Sequence, residues 1–573
     1  MEIKKGIPVS PGIAIRRAFL LDTEGHQISK RFIKSGEVEA EIARFDAAIP
    51  RARREYEELR KESNPEIAQI FGFHQMMLED PSMRDEVVRW IQESKFTPEY
   101  AVARTFHKKI KALQASRDEH IKLRHIDFHD VEQRLLKALA GGRAQDVRRL
   151  EEDVVLIAHD LTPSQTANLA TTKVSGFATD AGGRTSHTAI VARALGIPAV
   201  VGLGNITSEV ANGDLVILDG THGKVIIQPD EETLREFRAK EKQFIEFERS
   251  LTELRHLPAE TLDGHPLTLL ANIEFPEEIA TALENGAEGI GLYRTEFLYV
   301  TDPEPDEEVH FKAYRRGVEQ LDGRPLVIRT LDLGADKFTE GVLPIEPNPF
   351  LGCRSIRLCF VRIDLFKAQL RAILRATAYG PIKIMLPMIT SLSEVRKAKV
   401  IINDVMEDLH REKVPFEEDV EIGIMVEVPS AALIADFLAA EVDFFSIGTN
   451  DLVQYTLAVD RVNERVADLY QPAHPAILRL ILQVIEAGRR HGIDVSMCGE
   501  MSGEVVYTIP LLGLGLKTFS ISPGTIPEVK KVIRSITQKE AVQVVERIFT
   551  FSEAKQTDNY LREKAKRIIP QLF

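Results

Sequence analysis

A histidine lies in the run Gly182-Gly183-Arg184-Thr185-Ser186-His187-Thr188-Ala189-Ile190, at a predicted loop-to-helix junction. The two glycines permit close approach of a ligand to the backbone. A helix start offers unpaired N–H groups and the positive end of its dipole, which together suit a phosphate. A neutral imidazole is a good nucleophile toward phosphorus. A lone histidine is more often structural, but the glycines, Arg184 and the flanking hydroxyls point to a phosphate-bearing role for His187.

A second set of residues falls in the later part of the chain. Arg294 in GLYRTEF and Arg329 in VIRTLDLG each follow an apolar run, Arg461 lies just beyond another, and Arg354 stands in a long loop. Planar guanidinium forks bind carboxylate and phosphate in bidentate fashion, so several converging arginines would suit a phosphorylated carboxylic acid. Glu427 in IMVEVPS and Asp451 in IGTNDL end two further apolar runs. Two carboxylates facing one cavity suit Mg²⁺, which takes one or two of them together with substrate oxygens and water. The competing reading pairs them with the arginines. Cys498 in SMCGEMSG is either a small buried hydrophobe or a group for proton transfer.

These residues need elements to position them. From about Leu262 the pattern alternates strand and helix, and the runs LTLLANI, GIGLYRTE, LVIRTLDLG, KIMLPM, IGIMVEV, FFSIGTND, DVSMCGE and TFSISP are strand candidates. Eight such units predict a closed (β/α)8 barrel, in which chemistry sits at the C-terminal strand ends. Those ends, in order, carry Asn272, Arg294, Arg329, Glu427, Asn450-Asp451 and Cys498. The region from Asp153 to about 229 is a small α/β domain, with DVVLIAHD, KVSGFATD, AVVGLG, DLVILDG and KVIIQP as strands. The opening GIPVSPGIAIRRAFLL, read as a strand pair broken at Pro11-Gly12, completes it. Between these parts, Val38, Ile42, Phe45 and Ile49 open an inserted all-helical bundle, with Pro50 expected to end or kink its first helix. Asn64-Pro65 reads as a helix start. The predicted fold class is therefore multidomain α/β. Residues 1–23 and 147–229 form a swivelling α/β phosphohistidine domain, and 24–146 are the helical insertion. Residues 230–257 form a linker helix, and 258–573 the C-terminal barrel.

The 573 residues carry a net charge of -14, which argues against nucleic acid or an anionic membrane surface as the main partner. Three cysteines make no disulfide framework, and no signal peptide or membrane span is legible, so a cytoplasmic setting is expected.

The run GGRTSHTAIVARALGIPAVVG resembles the phosphohistidine signature of phosphoenolpyruvate-utilising enzymes. GLYRTEF, RTLDLGADK, NPFLGCRSIR, VEVPSAA, IGTNDLVQYTLAVDR and SMCGEMSG resemble their barrel domain, in the same order along the chain. Within that family the chain is similar to the branch that feeds the bacterial sugar phosphotransferase system. The resemblance implies that His187 accepts the phosphoryl group of phosphoenolpyruvate, with Thr166 hydrogen-bonded to it. It implies that Arg294, Arg329, Asn450, Asp451 and Arg461 bind the substrate with Arg354 assisting, and that Glu427 and Asp451 hold Mg²⁺. Cys498 would protonate the enolate to release pyruvate. The helical insertion would dock the phosphocarrier HPr, and the barrel would form a homodimer.

Departures from the family pattern lie at Leu123–Asp130, at Ala335 and at Cys353. His125 and His129 within the first of these read as a solvated helix face. The related dikinases and synthases need a nucleotide-binding domain. The chain has no G-x-x-x-x-G-K-[ST] run to supply one. A signalling paralogue without turnover is disfavoured by the complete set of His187, Glu427, Asp451, Cys498 and arginines.

Overall fold

The computed structural model describes residues 1–21, 32–62, 74–75, 77–78, 80–114, 125–139, 152–161, 165, 169, 172–183, 188, 192, 196–301, 304–334, 348–461, 463 and 465–573. They divide into two compact units, Met1–Ile245 with Leu572–Phe573, and Glu246–Gln571.

In the first unit, Val154-Val155-Leu156-Ile157-Ala158 has no polar residue to mark an outer face and is buried throughout, as a central strand must be. The sheet comprises β1 (Glu2–Lys5), β2 (Ile7–Ser10), β3 (Ile13–Leu20), β4 (Val154–Ala158), β5 (Val174–Thr179), β6 (Ala199–Val201), β7 (Leu215–Asp219) and β8 (Lys224–Ile227). Their order is β1-β8-β7-β3-β4-β5-β6-β2. The opening segment therefore holds strands, as its pattern predicts, but they do not pair with each other. β2 runs antiparallel to β6, whereas β3 lies between β4 and β7. Both edges of β3 are taken by β4 and β7, which leaves β2 to pair at the sheet's end with β6.

The helical segments are α1 (Val38–Glu62), α2 (Pro81–Ser94), α3 (Pro98–Gln114) and α4 (His125–Leu139). Phe45, Tyr56, Val87, Ile91, Val102, Phe106, Val131 and Leu135 form their common core. α1 runs through Pro50 without ending, contrary to the expectation from sequence. Phe45 and Ala48 before the proline and Ala52 and Tyr56 after it are all buried in that core, and the packing outweighs the lost backbone hydrogen bond. The proposed helix start at Asn64-Pro65 lies outside the described residues, as do Leu123, Arg124 and Ala335. α5 (Glu231–Leu254) is a helix within residues 230–257, where the sequence pattern predicts one. In the first unit its Phe237 closes an apolar cluster with Ile15, Ile217 and Ile226.

In the second unit eight parallel strands close into a barrel: β9 (Thr268–Ile273), β10 (Ile290–Tyr293), β11 (Leu326–Arg329), β12 (Ile382–Leu386), β13 (Ile422–Val426), β14 (Phe444–Ile447), β15 (Asp494–Met497) and β16 (Thr518–Ile521). Each of the eight coincides with one of the runs read from the sequence. Closure is made by β16 on β9, with Phe519 opposite Leu269 and Ile521 opposite Ala271. The helices relevant below are α6 (Glu307–Gln320), α7 (Ile363–Thr377) and α8 (Thr449–Leu457). The Asp306 side chain caps α6 by accepting from the Val309 N–H at 2.9 Å. Among the described residues no helix is long and apolar enough to cross a membrane.

Candidate active site

Strand geometry delivers the chemistry-bearing residues to one rim. Arg329 is the last residue of β11, and its side chain is only 11% exposed. It meets Glu296, from the loop after β10, at 3.0 Å, and Asp332, three residues further on, at 2.8 Å. Asp332 also binds Arg354 at 3.0 Å and accepts from the Ser355 hydroxyl. Arg354 reaches Asp451, in the first turn of α8, at 3.7 Å, and donates to the Tyr455 hydroxyl at 3.3 Å. A continuous chain of alternating charge thus runs Glu296, Arg329, Asp332, Arg354, Asp451. Burial alone would lift the Asp332 carboxyl, but the two guanidiniums overcome it and hold that group below the usual carboxylate range.

Glu427 follows β13 and is 2% exposed. Its Oε1 accepts from the Met388 N–H at 2.7 Å. Met388 is held at φ +56°, a backbone conformation that a methionine rarely adopts, and this aims its N–H at the carboxylate. Burial, followed by the nearby Asp332 and Asp451 charges, raises the Glu427 carboxyl well above its ordinary value; Arg329 opposes them. Burial also raises Asp451, against the pull of Arg354. Gly448 sits where a Cβ would come within 2.9 Å of Glu427 Oε2, so a larger residue would intrude on that carboxylate.

Two carboxyls driven toward protonation by burial first, with the nearby Asp332 charge adding to it, are the electrostatic setting that a divalent cation relieves. Among the described residues no three His, Cys, Asp or Glu side chains group to hold a metal by themselves. A cation here would therefore draw on Glu427 and Asp451 together with oxygens from another molecule.

Cys498 follows β15 and is 3% exposed. Burial pushes its thiol up to about 11, and the nearby Glu427 charge acts in the same direction. The shift favours the thiol over the thiolate, a form that carries a proton it could donate. Its backbone is pinned by Asn272, whose Nδ2 donates to the Cys498 carbonyl at 2.9 Å, while Ser520 donates to Asn272 Oδ1 at 2.6 Å. None of the three cysteines is in a disulfide.

On the outer rim Arg294 pairs with Glu274 at 2.6 Å. Glu500 joins two of the predicted residues, accepting from Arg461 at 2.9 Å and from the Asn450 amide at 3.1 Å, while its own N–H donates to Asn450 Oδ1 at 2.8 Å.

The barrel residues singled out from sequence accordingly share one rim: Arg329, Arg354 and Asp451 in one ion-pair chain, Asn450 and Arg461 on Glu500, Arg294 on Glu274, and Glu427 and Cys498 held by hydrogen bonds instead. His187 and Thr166 lie outside the described residues. Next to His187, the Thr188 hydroxyl donates to the Leu161 carbonyl at 3.3 Å. His125 and His129 fall on α4, with side chains outside the described residues. Sequence reasoning missed Glu296, Asp332, Tyr455 and Glu500. All four stand inside quoted motifs, within four residues of a residue that was chosen, and that proximity was the available signal.

Three family models match consecutive parts of the chain: PEP-utilising enzyme, N-terminal, over residues 5–124; PEP-utilising enzyme, mobile domain, over 150–223; and PEP-utilising enzyme, PEP-binding domain, over 248–538. The chain is 46% identical over 563 residues to the phosphoenolpyruvate-protein phosphotransferase of Bacillus sp. (strain S), covering 97% of each. The protein of the same description from Bacillus subtilis (strain 168) is 43% identical over 572 residues, covering 99% of this chain and 100% of its own. The family is consistent with a metal cofactor. Matched along three consecutive segments and aligned end to end with named transferases, the chain belongs to the PEP-utilising enzymes, as a phosphotransferase.

Proposed function

We propose that this chain takes the phosphoryl group of phosphoenolpyruvate onto His187, releases pyruvate, and passes the phosphoryl group to a histidine of an HPr-type phosphocarrier. That is the first step of bacterial sugar uptake by phosphotransfer. The observation that carries the reading is the buried chain of Arg329, Asp332, Arg354 and Asp451, adjoining Glu427 and a protonated Cys498.

Arg294, Arg329, Asn450, Asp451 and Arg461 bind the substrate, with Arg354 assisting. Their guanidiniums are already ordered by carboxylates, so little side-chain freedom remains to be lost when substrate oxygens take those places. The bond between phosphorus and the enol oxygen breaks as the imidazole nitrogen of His187 forms its bond to phosphorus. Thr166 orients the ring. The electron pair left on the enolate collects at C3, where the Cys498 thiol delivers a proton to give pyruvate, and solvent then reprotonates the thiolate. Glu427 and Asp451 would hold Mg²⁺, which supplies charge neutralisation at the phosphoryl group and the leaving oxygen.

The wider assignment follows the same reading. Residues 1–23 and 147–229 carry His187 as a mobile domain, 24–146 dock the carrier, 230–257 link, and 258–573 bind substrate. The setting is the cytoplasm and the barrel forms a homodimer, the latter supported by Val400, Leu433 and Phe437, apolar side chains left 60%, 62% and 69% exposed.

Incubation with phosphoenolpyruvate labelled in its phosphoryl group, with Mg²⁺ present, tests the central step. Label is expected as an acid-labile phosphoramidate that moves to added carrier, and His187→Ala is expected to abolish it. Label retained by that variant would refute the assignment.

A further inference from the structure

Behind the two arginine loops lies a hydrogen-bonded network that no step of the proposed chemistry uses. Gln369 on α7 is completely buried. Its Oε1 accepts the Leu331 N–H at 2.9 Å. Its Nε2 donates to the Thr295 hydroxyl at 3.1 Å and to the Tyr314 hydroxyl at 3.1 Å, so both amide hydrogens are engaged. Thr295 passes the connection on by donating to the Arg329 carbonyl at 3.1 Å. Tyr314 and His310, both on α6 and both buried, join at 2.9 Å between the hydroxyl and Nδ1. Thr295 directly follows Arg294, and Leu331 stands two residues after Arg329. One amide therefore ties the loop after β10 to the loop after β11 and braces both against two helices.

We propose that Gln369 is a positioning residue for phosphoenolpyruvate: from α7 it clamps the loop that carries Arg294 to the loop that directly follows Arg329, so that both guanidiniums meet one anion at a set separation. The inference rests on the reading of those arginines given under the proposed function. An apolar side chain of the same volume would fill the space, but only a planar amide with two donors and an acceptor can join three groups of different chain origin. The network also spans the loops crosswise. Thr295 reaches the backbone of the neighbouring strand end at Arg329 itself, and the Leu331 N–H fixes the turn that brings Asp332 back onto that guanidinium. Bidentate recognition tolerates little displacement, because both forks must line up with oxygens of one small molecule. Burial holds the His310 imidazole neutral, with its pKa lowered to about 4, which leaves Nδ1 able to accept from Tyr314.

The test uses the full-length chain with Gln369→Met, Thr295→Val and Thr295→Ser, with Arg294→Ala and Arg329→Ala alongside. Two rates are read: pyruvate formation as a function of phosphoenolpyruvate concentration, and phosphoryl exchange between phosphorylated carrier and His187, which does not call on the barrel. Gln369→Met and Thr295→Val are expected to raise the KM for phosphoenolpyruvate about tenfold, the effect of leaving buried donors unpaired. Carrier exchange should stay at the parent rate, and Thr295→Ser should return most of the loss.

A parent-like KM in Gln369→Met overturns the clamp, as does a loss shared by carrier exchange. If Gln369→Met fails to fold, Thr295→Val against Thr295→Ser decides alone, and equal KM values in those two overturn the proposal. Arginine variants with raised KM beside clamp variants without it would reject the clamp only. Arginine variants at the parent KM would reject the site reading, and the clamp with it.

Discussion

Replacing Gly499 by alanine isolates the geometry of the rim from its charge. Gly499 follows Cys498, and a Cβ built there would stand 2.6 Å from the Thr449 backbone nitrogen and closer still to its hydroxyl. The hydroxyl can rotate away, but the nitrogen cannot, because it belongs to the start of α8, which carries Asn450 and Asp451. Reaching ordinary van der Waals contact requires the Cys498 loop and α8 to part by roughly 0.8 Å. The backbone conformation of Gly499, φ -72°, is open to any residue, so the whole effect is steric. Overpacking of this kind costs about 1–3 kcal/mol of stability. A displacement of that size at a reacting centre slows turnover by about 10- to 100-fold. The nearby Gly503→Ala is the control, since its Cβ meets nothing nearer than 3.3 Å. Pyruvate formation should fall in Gly499→Ala and hold in Gly503→Ala, while phosphoryl exchange with the carrier holds in both. A Gly499→Ala chain forming pyruvate at the parent rate would refute the placing of Cys498 and Asp451 in one reacting centre.

Cys498→Ala removes the proposed proton donor without adding bulk; pyruvate formation should fall by about 10²- to 10⁴-fold, the usual share of general acid catalysis, and an unchanged rate would exclude the thiol. His310 makes a prediction about stability against pH. Its folded pKa of about 4 lies below the ordinary 6.5, so between those values the unfolded chain binds a proton that the folded chain refuses. The contribution is complete above pH 6.5 and is lost as pH falls toward 4, amounting to about 3 kcal/mol. Chemical denaturation of the parent chain and His310→Gln across that range should show the smaller acid loss in the variant, and parallel losses would show that the histidine protonates in place.

Much of the architecture is written in local patterns. Most barrel strands are short runs dominated by apolar residues, as in Leu326-Val327-Ile328 and Ile422–Val426. Arg329, Glu427 and Cys498 could be singled out because a charged or reactive group at the end of such a run must emerge where the strand does. Local pattern failed where remote packing decides. Pro50 does not stop α1, because the buried residues on both sides of it gain more from the helical core than the missing hydrogen bond costs. The two strands of the opening segment ignore each other because both edges of β3 are taken by β4 and β7, which leaves β2 to β6.

The sequence by itself determined which chemical groups are present, their order, and the strand ends that deliver them, since these depend on residue type and short-range periodicity. The tertiary structure alone decided who meets whom. Asp332 bridges Arg329 and Arg354, Glu500 bridges Asn450 and Arg461, and Gln369 holds a loop 38 residues earlier in the chain. The physical reason is that a buried charge or amide takes whichever partner the closed barrel brings within about 3 Å, and closure is a property of all eight strands together.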